Sequence, residues 1–185
     1  MTIAAMKLGE TLNAARMLRE DHRRLKALFR EFEAADDKTK ATIARRAIDE
    51  LEVHTLVEEE CFYPVARKVT GDVDAVLEAR EAHHAAKVLI TELRMLPPGR
   101  RFNAKFLTLA KAVAQHIKEE EEVLIPEVEN SGVDLVELGR EMSSVKYGFI
   151  TASTSDSMGR RFGLRALLAG AALAGIAWAA YKSAE

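Results

Sequence analysis

The residues of this sequence that could bind a metal are five histidines and two runs of glutamate. In two places a glutamate follows a histidine by four residues, which puts both side chains on one face of a helix. These pairs are His54 with Glu58 and His116 with Glu120. A carboxylate on a buried helix face is costly unless it binds a cation. Imidazole nitrogens combined with carboxylates suit a pair of iron or manganese ions.

An internal repeat relates the two halves of this histidine and glutamate pattern. The segment HTLVEEECFYP at 54–64 superimposes on HIKEEEEVLIP at 116–126, an offset of 62 residues. LKALFREF at 25–32 superimposes on AKVLITEL at 86–93, an offset of 61 residues. The repeat predicts two helical hairpins related by a pseudo-twofold axis, each bringing an equivalent histidine cluster to the centre.

The repeat also distinguishes the two neighbouring histidines of the third predicted helix. At the offset of 61 residues His83 aligns with His22, which shares the apolar stripe of the first helix. His84 lies about 100° further round the helix than His83. We therefore expect His22 and His83 to bind the metal, and His84 to lie near the site without binding it or to face solvent.

Apolar residues at helical spacing predict the elements that must position these side chains. Two prolines, Pro64 and Pro126, stand late in the second and fourth helices and should kink them or end their regular part. No convincing strand is present in the sequence pattern. The prediction is an all-α, up-down-up-down four-helix bundle with a short fifth helix. The predicted helices cover about residues 11–34, 40–68, 73–95, 103–128 and 134–147.

Composition excludes several classes of protein. The chain has 185 residues and one cysteine, Cys61, so an intramolecular disulfide framework is excluded and a reducing compartment is favoured. A net charge of −2 excludes a broadly basic nucleic-acid binder, and we expect no nucleic-acid partner. The first residues lack the continuous apolar run of a signal peptide, which indicates a cytoplasmic location for the bundle.

The end of the chain differs from the rest. After a bundle domain at 1–148 comes a polar linker at 149–161, and then an apolar helix at 162–183. We predict that this helix anchors the protein to the inner membrane, since Trp178 and Tyr181 stand where interfacial aromatic residues belong. The alternative is an alanine-rich helix that packs on the bundle or on a second subunit. Small residues four apart favour close helix pairing, and thus a homodimer through the tail.

Four motifs in order resemble the hemerythrin-like, HHE cation-binding family. They are DHRRLKALF, ELEVHTLVEEECFYP, AHHAAKVLITEL and AQHIKEEEEVLIP, within about residues 15–130. The resemblance implies a four-helix bundle with a non-haem di-iron centre, in which Glu58 and Glu120 bridge two iron ions, with manganese as the alternative metal. The metal ligands that it implies are His22, His54, Glu58, His83, His116 and Glu120.

The sequence departs from the oxygen-carrying hemerythrins at two positions. Lys87 stands four residues after His83, where those proteins have a second histidine. Their fourth helix uses an aspartate five residues after its histidine, whereas Glu120 at the fourth position is our expected bridge, although Glu121 occupies the fifth. A centre with fewer imidazoles is more open or richer in carboxylates, so the resemblance does not imply simple reversible oxygen carriage.

Four functions are compatible with this interpretation. The protein binds or senses dioxygen or nitric oxide, or it is a di-iron oxidase or peroxidase, or it handles iron, or it is a metal-free helical interaction protein. Whether it is an enzyme stays open at this point. We expect Cys61 to be a small packing residue, Tyr63 a boundary aromatic and the other glutamates solvated. Lys87 could hydrogen-bond a bound oxygen species or extend into solvent.

Overall fold

The computed structural model describes residues 12–71 and 73–155, without the side chains of 152–155. Every regular element in these ranges is helical, which confirms the all-α prediction. The elements are α1 Ala14–Ala34, α2 Asp37–Val57, the π-helical turn Glu58–Phe62, α3 Tyr63–Val69, α4 Val73–Met95, α5 Arg100–Glu122, α6 Leu124–Asn130 and α7 Leu135–Ser155. The second helix of the bundle consists of α2, the π-helical turn and α3 in succession, and the fourth consists of α5 followed by α6.

Both predicted irregularities lie close to the prolines. Proline has no N–H to donate, and its ring conflicts with the carbonyl four residues earlier in a regular helix. The second helix widens into the π-helical turn just before Pro64. The fourth helix breaks at Val123, whose φ of −121° and ψ of −71° lie outside the helical range, shortly before Pro126. The two breaks occupy equivalent places in the internal repeat.

The starts of the helices depend on caps that the apolar pattern does not show. The side chain of Asn13 accepts a hydrogen bond from the backbone N–H of Arg16, so α1 begins at Ala14. Asp36 accepts hydrogen bonds from the N–H groups of Lys38 and Thr39, so α2 begins at Asp37, before its predicted start at residue 40. These carboxylate and amide oxygens satisfy N–H groups that have no partner inside the helix.

The core consists of two apolar clusters with a polar layer between them. One cluster packs around Phe32, Leu51 and Phe106, and the other around Leu18 and Phe62. Along each long helix the buried histidines and glutamates stand between residues of the first cluster and residues of the second. The polar layer is therefore closed off from water by apolar packing towards both ends of the bundle.

The fifth helix packs closely on the beginning of α1 through a glycine. A Cβ atom added at Gly139 would overlap the carbonyl oxygen of Leu12 and would lie 3.1 Å from the backbone nitrogen of Ala14. Both are backbone atoms and cannot turn aside as a flexible side chain would. Only glycine fits at this contact.

We expect Gly139→Ala to lower the stability of the protein by about 1–3 kcal/mol, the usual cost of overpacking. Thermal or denaturant unfolding measures it. Gly148→Ala is the matched control, because an added Cβ there meets no atom within 4 Å. The control should be neutral or gain about 0.5–1 kcal/mol of helix stability. Equal stability of the two variants would contradict the close contact.

The described residues as far as Tyr147 form one compact unit, and the second unit begins at Gly148. The structure describes the second unit only as far as Ser155, and there α7 continues past its predicted end at Tyr147. The first part of the predicted linker 149–161 is therefore helical, because no proline interrupts it. The apolar segment 162–183, with its predicted membrane and homodimer contacts, lies outside the described residues. None of the described helices is long and apolar enough to cross a membrane.

Candidate metal centre

All six predicted ligands lie in the polar layer of the bundle core. None of their side chains is more than 5% exposed. One comes from α1, two come from the second helix and its π-helical turn, one from α4 and two from α5. Their ligand atoms form two groups, and within each group the atoms lie within 4.8 Å of one another. The groups are His22, His54, Glu58 and Glu120, and Glu58, His83 and His116.

The first group combines two histidines with both buried carboxylates. The Nε2 atom of His22 lies 3.2 Å from Oε2 of Glu120 and 3.7 Å from Oε1 of Glu58. The Nε2 atom of His54 lies 3.2 Å from Oε2 of Glu58. Two imidazole nitrogens and two carboxylates thus point at one small volume.

The second group shares Glu58 with the first. Oε2 of Glu58 lies 3.1 Å from Nε2 of His83, and that nitrogen lies 3.0 Å from Nε2 of His116. Glu120 approaches this group less closely, with Oε2 at 4.0 Å from Nε2 of His116. One carboxylate therefore faces two neighbouring sets of imidazole nitrogens, as a bridging ligand would.

The donor atoms of these residues fit a metal centre. Both carboxylate oxygens of Glu58 and Glu120, and the Nε2 atoms of His22 and His54, are buried without a hydrogen-bond partner among the described residues. Buried carboxylates without partners cost several kcal/mol in a protein interior. Cations among these oxygen and nitrogen atoms would satisfy all of them at once, so the residues present suit divalent metal ions.

Electrostatic effects divide the four histidines into two kinds. Burial lowers the pKa of His22, but contact with Glu120 and Glu58 outweighs it and raises the pKa to about 10. His83 likewise reaches a pKa of about 9 through Glu58 and Glu59. Burial, reinforced by the neighbouring histidines, lowers the pKa of His116 to about 4 and that of His54 well below its ordinary value. The carboxylates thus attract positive charge into the centre.

The hydroxyl of Tyr63 contacts both histidines of the second group, so the interpretation of this residue as a boundary aromatic is wrong. The side chain is 1% exposed, and its oxygen lies 3.1 Å from Nε2 of His83 and 3.4 Å from Nε2 of His116. A π-helical turn takes in more residues than an α-helical turn, and here the backbone N–H of Tyr63 donates to the carbonyl of Glu58. Tyr63 therefore lies on the same helix face as Glu58, five residues earlier. The repeat-equivalent residue is the buried and apolar Ile125, so the two halves of the centre differ chemically.

Two further glutamates contact the outer nitrogens of histidine rings, although the sequence pattern suggested that they were solvated. Nδ1 of His83 lies 3.1 Å from Oε1 of Glu59, and Nδ1 of His22 lies 3.0 Å from Oε1 of Glu121. The sequence allowed two roles for Lys87. In the structure its Nζ atom donates to both carboxylate oxygens of Glu59, at 2.5 and 2.6 Å. The signal that could have found them is the repeat, because Glu59 and Glu121 align at the offset of 62 residues.

The structure also gives the surroundings of Asp21, Cys61 and His84. The sequence reasoning missed Asp21, a buried acid that binds Lys146 at 2.9 Å through both oxygens and approaches Nδ1 of His54 at 4.0 Å. Cys61 is a buried packing residue, as expected. His84 is exposed, whereas its neighbour His83 is buried in the second group.

Comparisons with known proteins agree with this architecture. Residues 13–128 match the sequence model of the hemerythrin HHE cation binding domain. A crystal structure of an HHE cation binding domain-containing protein from Mycobacterium kansasii is similar, with a TM-score of 0.67 and 21% identity over 80% of this chain and 93% of that chain. A DNA nickase from Nostoc sp. is 26% identical over 124 residues, which are 66% of this chain. The match spans only 35% of the length of the nickase.

Proposed function

Because the chain belongs to the hemerythrin HHE cation-binding family, we propose that it is a non-haem di-iron protein that binds dioxygen or nitric oxide. The observation that carries the proposal is the pair of buried ligand groups that share Glu58. Two groups with a common carboxylate suit two ions held side by side. Histidine and carboxylate donors without thiolate suit iron, with manganese as the alternative metal.

The unequal composition of the two groups supports the binding of a small ligand. The first group offers four residues, whereas the second offers three. An ion held by His83, His116 and Glu58 would have more coordination positions left for an exogenous ligand. The second group also has the hydroxyl of Tyr63 within hydrogen-bond distance of both histidines. Small-molecule binding at the second group is therefore our proposal.

Burial limits what that ligand can be. The residues of the second group are at most 5% exposed, and apolar clusters close the bundle above and below them. A diatomic molecule can reach such a position through small fluctuations of the packing, whereas a large organic substrate would need the bundle to open. Dioxygen and nitric oxide meet this limit.

The roles of the residues follow from their positions. When bound, non-haem iron supplies exchangeable coordination positions and a one-electron redox couple. Glu58 and Glu120 would balance the charge of two cations, of which His22 and His54 would hold one and His83 and His116 the other. The neutral hydroxyl of Tyr63, whose pKa burial and the nearby Glu120 raise well above its usual range, can donate a hydrogen bond within the second group.

Ligand stoichiometry tests the proposed function. The full chain is loaded with ferrous iron without oxygen and then titrated with nitric oxide or dioxygen, while absorption spectra are recorded. We expect one stable adduct to saturate per centre without continued consumption of the ligand. Continued consumption of dioxygen or peroxide would instead indicate an oxidase or peroxidase. Iron that is bound and released with no adduct would indicate iron handling.

A further inference from the structure

We propose that Glu59 and Glu121 are positioning residues that hold His83 and His22 with the proton on Nδ1, so that Nε2 of each ring faces the metal centre. The inference rests on the proposed function and adds the groups that orient two of its ligands. Neither glutamate belongs to the two ligand groups. Each touches the side of a histidine ring that points away from the centre.

The contacts have the same form on both sides of the bundle. Glu59 lies behind His83 and is bound in turn by Lys87. On the other side, Glu121 lies behind His22, and Nζ of Lys26 lies 3.1 and 3.2 Å from its two oxygens. Each arrangement is a chain of three side chains, running from a buried imidazole through a half-buried carboxylate to a half-buried lysine.

The internal repeat produces both arrangements. Glu59 and Glu121 follow His54 and His116 by five residues, and Lys26 and Lys87 follow His22 and His83 by four. Two neighbouring glutamates in each run therefore have different roles. Glu58 and Glu120 enter the ligand groups, whereas the residue after each of them contacts a histidine of a neighbouring helix. An isolated ion pair on a protein surface contributes little to stability and is weak evidence for a function. Here the same lysine–glutamate pair occurs at two repeat-equivalent places, and each pair contacts a buried histidine ring, which indicates that the arrangement has a role at the ligand groups.

Hydrogen-bond chemistry fixes the direction of each contact. An ionised carboxylate only accepts hydrogen bonds, so Nδ1 of the histidine must donate. The adjacent lysine favours the ionised carboxylate. With the proton held on Nδ1, the other nitrogen can present its lone pair, and Nε2 is the atom that lies 3.1 Å from Glu58 in His83 and 3.2 Å from Glu120 in His22. Carboxylates that orient metal-binding histidines in this way typically contribute 10–100-fold to metal affinity.

His54, the other histidine of the first group, lacks this arrangement. Nδ1 of His54 has no hydrogen-bond partner among the described residues, and Oδ2 of Asp21 lies 4.0 Å from it. The proposal concerns His22 of α1 and His83 of α4, and does not extend to His54.

The experiment compares Glu59→Ala and Glu121→Ala with Glu60→Ala and Glu122→Ala in the full chain. The control residues stand next to the positioning glutamates and are exposed. Ferrous iron affinity is measured without oxygen by competition with a chromophoric chelator. We expect each positioning variant to bind one of the two ions about 10–100-fold more weakly, and the controls to bind like the wild type. Glu59→Gln and Glu121→Gln, which keep the shape of the side chain, should lose less.

A second readout separates positioning from a general loss of structure. Nitrogen-15 NMR of the zinc-loaded protein reports which nitrogen of each histidine carries the proton and how fast that proton exchanges. Glu59→Ala should speed exchange of the Nδ1 proton of His83 alone, and Glu121→Ala that of His22 alone. Wild-type iron affinity and unchanged exchange in both variants would overturn the inference. Failure of the wild type itself to bind two ions would instead overturn the proposed function.

Discussion

Glu58→Gln is expected to remove iron from both positions of the centre, because Glu58 is the one residue common to the two ligand groups. Glutamine keeps the size of the side chain but cannot supply a negative charge to two cations. Loss of a direct ligand should exceed the 10–100-fold effect that is typical of an orienting neighbour. Iron content after anaerobic loading and desalting measures the effect.

The same variant should leave the metal-free bundle folded. Burial and the nearby Glu120 raise the pKa of Glu58 above its ordinary value of 4.5. A group with a raised folded-state pKa contributes stability below its unfolded pKa and loses it as the pH rises through the folded value. At neutral pH the negative charge of Glu58 therefore lowers the stability of the metal-free fold, and glutamine carries no such charge. Metal-free Glu58→Gln should melt at or above the temperature of the metal-free wild type, and any gain should shrink in acid.

Glu60→Gln is the matched control for Glu58→Gln. Glu60 stands in the same π-helical turn but is exposed. It should retain both ions. If Glu58→Gln kept as much iron as Glu60→Gln, Glu58 would not be the shared ligand.

His83→Ala is expected to lose the ion of the second group and to retain that of the first. His83 is buried and contributes Nε2 to the second group only, whereas His22 and His54 stay in place for the first. Iron per chain should therefore fall to about half of the wild-type value, because one of the two ligand groups loses a histidine and the other keeps all its members. Metal analysis of the desalted protein checks this, with the melting temperature of the metal-free variant measured alongside.

His84→Ala provides the comparison at the adjacent position. His84 is exposed on α4, so removing its ring should change neither the iron content nor the stability of the bundle by a measurable amount. An iron loss in His84→Ala as large as that in His83→Ala would contradict the assignment of these two residues. Retention of both ions by His83→Ala would contradict it equally.

The fold and the general location of the site could be predicted from the sequence because both depend on periodicity. Apolar spacing predicts the four long helices, and a histidine with a glutamate four residues later places both on one helix face. The repeat separated His83 from His84, since it fixes which position of α4 corresponds to His22 of α1. The structure buries the first of these neighbours and exposes the second.

The contacts that the sequence did not predict depend on local departures from a regular helix or on packing between helices. Tyr63 faces the centre because the π-helical turn changes the register after Glu58, which a regular period of 3.6 residues does not allow for. Glu59 and Glu121 reach histidines on neighbouring helices, and their distances depend on how the helices pack. Periodicity within one helix contains no information on such contacts.

The amount of iron bound by the full chain decides whether the two ligand groups form a di-iron centre. The protein is purified without oxygen, loaded with ferrous iron, freed of excess metal and analysed for iron and protein. We predict two ions per chain, one for each ligand group. A chain that retains no iron would contradict the metal centre, and a single ion per chain would contradict the pairing of two groups through Glu58.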